Sequence, residues 1–323
     1  MPHQLGVGMR FYGWIGLGIL LVSEYFLFKK IEPFYSWFYC FAWWSYILLA
    51  DNLLLKLRGS SLLTTRRKEL GSMLALSVFI WLLFEAYNFR INNWQYEGVP
   101  SQLWIRWVGY LFSFATVLPG IFITSDLVEY FLGWRGRPCA SENEGQAPGS
   151  GSQSPKIFLP LGLFLCVAPL IWPRYFFPAV WLGPIFLFDP CLEKLGIQSL
   201  WSARTVRGGK KIWSLLLGGF ACGLMWEFWN YWSGSRWVYT VPFFNNWKLF
   251  EMPALGFLGF PPFALECWSL YHLLANVLTR KRSTMARLAP WLVIALLCIV
   301  ILWAIDSRTV TRFAELTLWS LFA

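Results

Sequence analysis

Two glutamates recur in one local setting. Trp226-Glu227-x-x-Asn230 is matched by Glu85-x-x-Asn88. Each is followed by a Trp-x-Tyr pair, Trp94 and Tyr96 in one case and Trp237 and Tyr239 in the other, and then by Pro100 or Pro242. Both glutamates fall inside apolar stretches, where an ionisable side chain is costly and usually turns toward a bundle interior. An asparagine one helical turn later shares that face. Two carboxyls brought together in a dry site cannot both ionise cheaply, so one would keep its proton. Among Trp81, Trp226, Phe228, Trp229 and Tyr231, such an acid could protonate an alkene, and the ring faces would stabilise the resulting cation. The plainer alternative is that each glutamate hydrogen-bonds its neighbouring asparagine and indoles and fixes a helix end.

A second acidic pair, Asp51 and Asp189, is followed by Ser61-Leu62 and Ser199-Leu200, and then by Arg66 and Arg204. This spacing predicts an Asp–Arg pair that shapes a loop; a pocket for a phosphate or headgroup is the alternative. The Trp-x-Tyr segments suit interfacial anchoring or a lid over an outer pocket. Residues 250–267 place several prolines and glycines between Glu251 and Glu266. Such a segment interrupts a helix, and in membranes broken helices are tolerated where they line a cavity. Both glutamates are therefore candidates to contact a substrate, with Asp126 or Glu129 in the corresponding place of the first half. His272 reads as a satisfied bundle histidine.

The elements that would hold these residues are membrane helices. Of 323 residues, 57% are hydrophobic and 14% charged, against about a quarter charged in a soluble domain. Mean hydropathy is +0.49. Apolar runs predict spans near 11–28, 36–55, 71–88, 105–132, 157–172, 177–195, 211–232, 252–278 and 288–305. Basic residues gather in alternate loops, at Lys56 to Lys68, Lys194 to Lys211 and Arg280 to Arg287. The positive-inside rule makes those loops cytoplasmic. The N-terminus is then inside and the C-terminus outside, in a bacterial inner membrane. The basic residues are thus topology signals, which argues against nucleic-acid binding despite the net charge of +10.

The two halves align at one nearly constant offset. Trp43, Asp51, Lys56-Leu57, Ser61-Leu62 and Arg66 match Trp181, Asp189, Lys194-Leu195, Ser199-Leu200 and Arg204. The Glu, Asn, Trp-x-Tyr and Pro matches continue the series in the same order. The expected fold is an all-α membrane protein of about nine transmembrane helices, with two parallel four-helix repeats plus a C-terminal helix. Residues 1–133 form the first repeat, 134–156 a Gly/Ser/Pro-rich cytoplasmic linker, 157–280 the second repeat, and 281–323 a peripheral ninth helix with an interfacial tail after Asp306. A two-fold axis along the membrane normal would then bring Glu85 and Glu227 toward each other.

Several chemistries are excluded. The seven cysteines form no C-x-x-C pair, which argues against a zinc site or a disulfide framework. Two histidines, His3 and His272, are too few for a membrane di-iron oxygenase or a bis-His haem protein. No metal and no cofactor are expected. Nucleotide-binding loops and Ser-His-Asp arrangements are missing as well.

The layout of Trp226, Glu227, Asn230, Trp237 and Tyr239, with Glu85, Asn88, Trp94 and Tyr96 in the first half, resembles the integral-membrane lycopene cyclases. Those are also duplicated helical modules with Trp, acidic and Trp-x-Tyr elements. The likeness also extends to bacterial polytopic membrane proteins. It covers about 50 residues per half, with two departures: the cyclase repeat has three helices, and its Pro-x-Glu-Glu motif is replaced here by Glu251-Met-Pro253. The resemblance implies acid chemistry on an isoprenoid. Three readings stay open: an enzyme that cyclises, isomerises or hydrates an apolar lipid, a lipid or small-molecule transporter or flippase, and a non-catalytic scaffold or assembly factor. Membrane lipid is the one partner implied, and no protein partner is indicated.

Overall fold

The structure is a computed structural model that describes residues 9–134, 154–197, 199–201, 206–279 and 284–315. Most of the expected linker and Arg204 lie outside the described residues. The chain is mainly helical. In the first half, α1 (Phe11–Phe28), α2 (Phe38–Arg58) and α3 (Arg67–Ile91) lead into strand β1 (Trp94–Pro100), α4 (Leu103–Phe114) and α5 (Val117–Phe131). In the second, α6 (Phe158–Ile171), the short α7 (Pro173–Phe176), a 3-10 segment (Phe177–Trp181), α8 (Gly183–Lys194) and α9 (Val206–Trp232) lead into β2 (Arg236–Tyr239). After β3 (Lys248–Leu249) and β4 (Met252–Pro253) come a 3-10 segment (Ala254–Gly259), α10 (Phe260–Thr279), α11 (Thr284–Arg308) and β5 (Val310–Ala314).

Local sequence explains the ends of these elements. Lys56 and Arg58 occupy the last turn of α2, where they complement its negative end, and Gly59 takes the left-handed conformation that stops it. Asn92 does the same for α3 and turns the chain directly into β1.

Six helices among the described residues are long and apolar enough to cross a membrane: 11–28, 38–58, 67–91, the run 103–131, 209–232 and 288–308. A seventh results if the pair Pro173–Trp181 and Gly183–Lys194, bent by 41°, counts as one span. The fifth expected span is only the 14-residue α6. The eighth corresponds to α10, which does not qualify on these terms. Glu266, Ser269 and His272 on α10 are all fully buried, and the helix is sheathed by α3, α8 and α9. A helix enclosed by protein does not need lipid-grade hydropathy.

Packing follows small residues and aromatic clusters. Gly219 and Gly223, spaced as G-x-x-x-G, let α9 approach α10 until an added Cβ would strike Phe260 or Ala264. Helix α1 lies on α2 and α6 on α8; α2 meets α5 and α8 meets α10; α5 crosses to α9 and α3 crosses to α10. The crossing pairs join the halves into one core.

Strands β1 and β2 pair antiparallel, with Trp94 opposite Tyr239 and Tyr96 opposite Trp237. Gly98, at φ 66°, sits so close to Gly234 that any side chain there would collide with its carbonyl. Strand β5 adds to β1 in parallel, giving the order β2-β1-β5. Residues 310–314 of the tail after Asp306 therefore complete a sheet. Helix α11 leaves Leu292, Leu296 and Trp303 exposed.

Candidate functional site

Glu85 is fully buried near the end of α3. Its Oε1 accepts hydrogen bonds from Trp81 Nε1 at 2.9 Å, Trp94 Nε1 at 3.0 Å and the Tyr96 hydroxyl. One turn later Asn88 hooks the strand: its Nδ2 donates to the Trp94 carbonyl at 2.8 Å, and its Oδ1 accepts the Asn93 and Trp94 N–H groups. The Trp-x-Tyr residues come back to the glutamate because the asparagine holds the turn between helix and strand.

The second half holds its asparagine and tyrosine alike but routes its tryptophan differently. Glu227 Oε1 accepts the Tyr239 hydroxyl at 2.8 Å, and the Trp237 indole donates to that same hydroxyl at 3.0 Å. Asn230 Nδ2 donates to the Trp237 carbonyl and its Oδ1 accepts the Trp237 N–H, each at 2.9 Å. The expected meeting of the two carboxyls does not appear among these bonds. Each glutamate is held by ring donors of its own half, because the strand that follows each helix folds back over that helix's own carboxyl. The Oε2 atoms of Glu85 and Glu227 are buried with no hydrogen-bond partner among the described residues.

A cavity of about 570 Å³ lies between the halves, against the sheet. Its walls include Tyr39, Trp81, Trp94, Tyr96, Phe114, Trp181, Trp226, Trp237, Tyr239 and Phe263. That volume suits a small-molecule ligand, for which cavities run about 300–1,000 Å³. The glutamates do not line it; Tyr96 and Tyr239 do, and their hydroxyls bind the carboxyls behind. Burial, with the adjacent glutamate second, pushes both phenols well above their ordinary pKa, so they stand as neutral donors.

Two arginines also line the cavity, and each is matched to a carboxylate. Arg106 makes two parallel bonds to Asp306, at 2.7 and 2.8 Å, and its Nη1 donates to the Pro100 and Ser101 carbonyls. Trp107 and Tyr110 complete the Asp306 shell. Arg236 pairs with Glu251 at 3.2 Å, so Glu251 neutralises a wall residue and is not itself part of the wall.

The other candidates fall elsewhere. Trp226 lines the cavity, but Trp229 meets Trp43 edge-to-face, with ring centroids 5.0 Å apart, in the core. Glu266 lies one turn past the wall residue Phe263; it is fully buried, and neither carboxyl oxygen has a hydrogen-bond partner among the described residues. Asp126 and Glu129 belong to an ion cluster with Lys211, which reaches Glu129 at 2.6 Å, and with Arg58 at 3.4 Å. The Asp51–Arg66 pair is replaced by other contacts. Asp51 accepts the Leu63 N–H and the Tyr12 hydroxyl, while Arg66 pairs with Glu69. Asp189 likewise accepts the Leu200 and Trp201 N–H groups. Backbone amides of the loops that follow α2 and α8 hold both aspartates.

Sequence reading missed Arg106 and Asp306. An arginine inside the predicted span 105–132 was the visible signal. It also missed Tyr39, Tyr110 and Phe263, which in so aromatic a chain carry no signal of their own. Among the described residues, no group of three or more His, Cys, Asp or Glu is placed to hold a metal ion. Comparison with family models, curated proteins and solved structures finds no match.

Proposed function

We propose that this chain binds a neutral, apolar lipid of the isoprenoid class in the aromatic cavity and converts it by acid catalysis. One observation carries the reading: each buried glutamate is hydrogen-bonded to a tyrosine that lines the cavity. With the carboxyl protonated, the same O···O contact carries a proton toward the phenol as the phenol's own proton moves to an alkene carbon of the ligand. The glutamate left behind is held by its ring donors, the indoles of Trp81 and Trp94 in the first half and the phenol of Tyr239 in the second. The cation on the ligand meets the faces of Trp81, Trp94, Trp226 and Trp237. Loss of a proton from that cation completes an isomerisation or cyclisation and restores the acid.

Both cavity arginines already have carboxylate partners, which favours an uncharged ligand over an anionic headgroup. A transporter would need a polar path toward Asp51 and Asp189, but those carboxylates are engaged by loop amides. The resemblance to lycopene cyclases supports the substrate class.

The same proposal includes the architecture: nine spans, two parallel repeats and a C-terminal helix, with the N-terminus cytoplasmic and the C-terminus outside a bacterial inner membrane. The matched bonds of Asn88 and Asn230 support the duplication. So does the β1–β2 register, in which exchanging the halves converts the Trp94–Tyr239 pair into the Tyr96–Trp237 pair.

The test compares lipid extracts, by mass spectrometry, from cells with the gene, without it, and with Glu85→Gln/Glu227→Gln. The proposal expects an isoprenoid-class lipid to change with the gene and to revert in the double variant. No change in any lipid overturns it.

A further inference from the structure

The cavity has an inner and an outer zone of different character. Trp226, Phe114 and Phe263 on its inner wall are buried. At its rim stand Tyr175, Phe244, Leu255 and Leu258, which are 70%, 73%, 57% and 68% exposed. These come from α7, the segment after β2, and the 3-10 segment before α10. A mouth that opened to water would be rimmed by polar groups. An exposed apolar rim instead marks a surface that meets a membrane or a partner. Immediately beside it, the Arg174 guanidinium lies 5.7 Å from the Phe243 ring. An arginine over an aromatic ring suits the boundary between hydrocarbon and headgroups.

The segment that carries this rim is also conformationally unusual. Phe244 and Phe250 sit in the left-handed region, at φ 58° and 59°. Bulky residues rarely adopt that conformation, and where they do they cluster at ligand clamps and switch regions. The sheet side of the cavity is closed differently, by the paired strands β2-β1-β5.

We infer that the cavity has a lateral portal, between α7 (Pro173–Phe176) and the 3-10 segment Ala254–Gly259, through which a neutral lipid chain enters from the surrounding leaflet. This rests on the reading of the cavity as a lipid site and adds the source of the ligand: the bilayer, not the aqueous phase. Arg106 and Arg236 are already neutralised, so the chain that enters needs no charged head. Leu255 and Leu258 act as the threshold, and the segment around Phe244 is the part that yields.

The test uses the full chain in lipid nanodiscs, with a diazirine-bearing polyisoprenoid hydrocarbon dissolved in the bilayer. The readout is the rate at which peptides containing Trp81 and Phe263 become photolabelled. Leu255→Arg/Leu258→Arg places charge at the threshold and is expected to slow labelling by at least about tenfold. Leu258→Cys, blocked with a bulky maleimide after folding, should slow it similarly, with the unsubstituted protein given the same reagent as control. The blocked variant covers the case in which the double arginine variant fails to fold. Labelling at the unmodified rate with Leu258→Cys blocked overturns the portal and leaves the lipid site standing. No labelling of the cavity peptides in the unmodified protein sinks the lipid reading, and the portal with it.

Discussion

Trp94 stands opposite Tyr239 across the antiparallel β1–β2 pair, so a ring that binds Glu85 and a ring that binds Glu227 meet in one sheet. No hydrogen bond joins the two glutamates among the described residues, and yet both are tied to a single covering element. A change to one tyrosine or one strand will be felt at both carboxyls.

Tyr96→Phe and Tyr239→Phe keep the ring and remove the hydroxyl that binds the glutamate. Either change should lower lipid conversion by about 100-fold or more, as loss of a positioned proton donor does. Glu85→Gln and Glu227→Gln should do the same, because an amide can accept the phenol's hydrogen bond but cannot supply the acid. Initial rates in nanodiscs, read by mass spectrometry, decide this. Full activity in all four variants would leave the carboxyls purely structural.

Arg106 and Asp306 form a buried, bidentate pair between α4 and α11. Removing one partner leaves an uncompensated charge, so Arg106→Ala or Asp306→Ala should cost about 3–5 kcal/mol. The double variant should cost less than the sum of the two. Thermal unfolding in detergent measures both, and strict additivity would mean that the pair is not coupled.

Truncation after Arg308 removes β5. The Tyr96 N–H then loses the Thr309 carbonyl, and Ser101 loses Ala314. Amides across 96–101 should exchange with solvent much faster, while those of α3 keep their protection. Hydrogen-exchange mass spectrometry resolves the two segments.

Orientation is checked with thiol labelling. Trp247, 82% exposed, lies in the segment between β2 and β3. Trp247→Cys should react with an impermeant maleimide in intact spheroplasts, whereas Lys68→Cys should react only after permeabilisation. The reverse pattern would invert the topology.

The Glu, Asn and Trp-x-Tyr positions were legible because each acts on neighbours a few residues away: Asn88 on Trp94, and Asn230 on Trp237. Long, apolar helices such as α2, α3 and α11 were legible for a similar reason, since hydropathy along a run is a local property. What stayed hidden depends on distant partners. Trp-x-Tyr read as belt or lid because nothing near residue 94 says that residue 239 will pair with it. Arg106 could not be matched to Asp306, nor β1 to β5, from periodicity. Helix α10 reads as a span like the others, and nothing in its sequence says that α3, α8 and α9 will enclose it.

The position of β5 beside β1 also dictates an order of assembly. Strand β1 is made early, but its second neighbour arrives only with residues 310–314, after α11. Contacts of such large sequence separation form late. Until then one edge of β1 keeps open backbone donors and acceptors. A chain halted before its last helix would therefore carry both glutamates and their tyrosines beneath an unfinished roof.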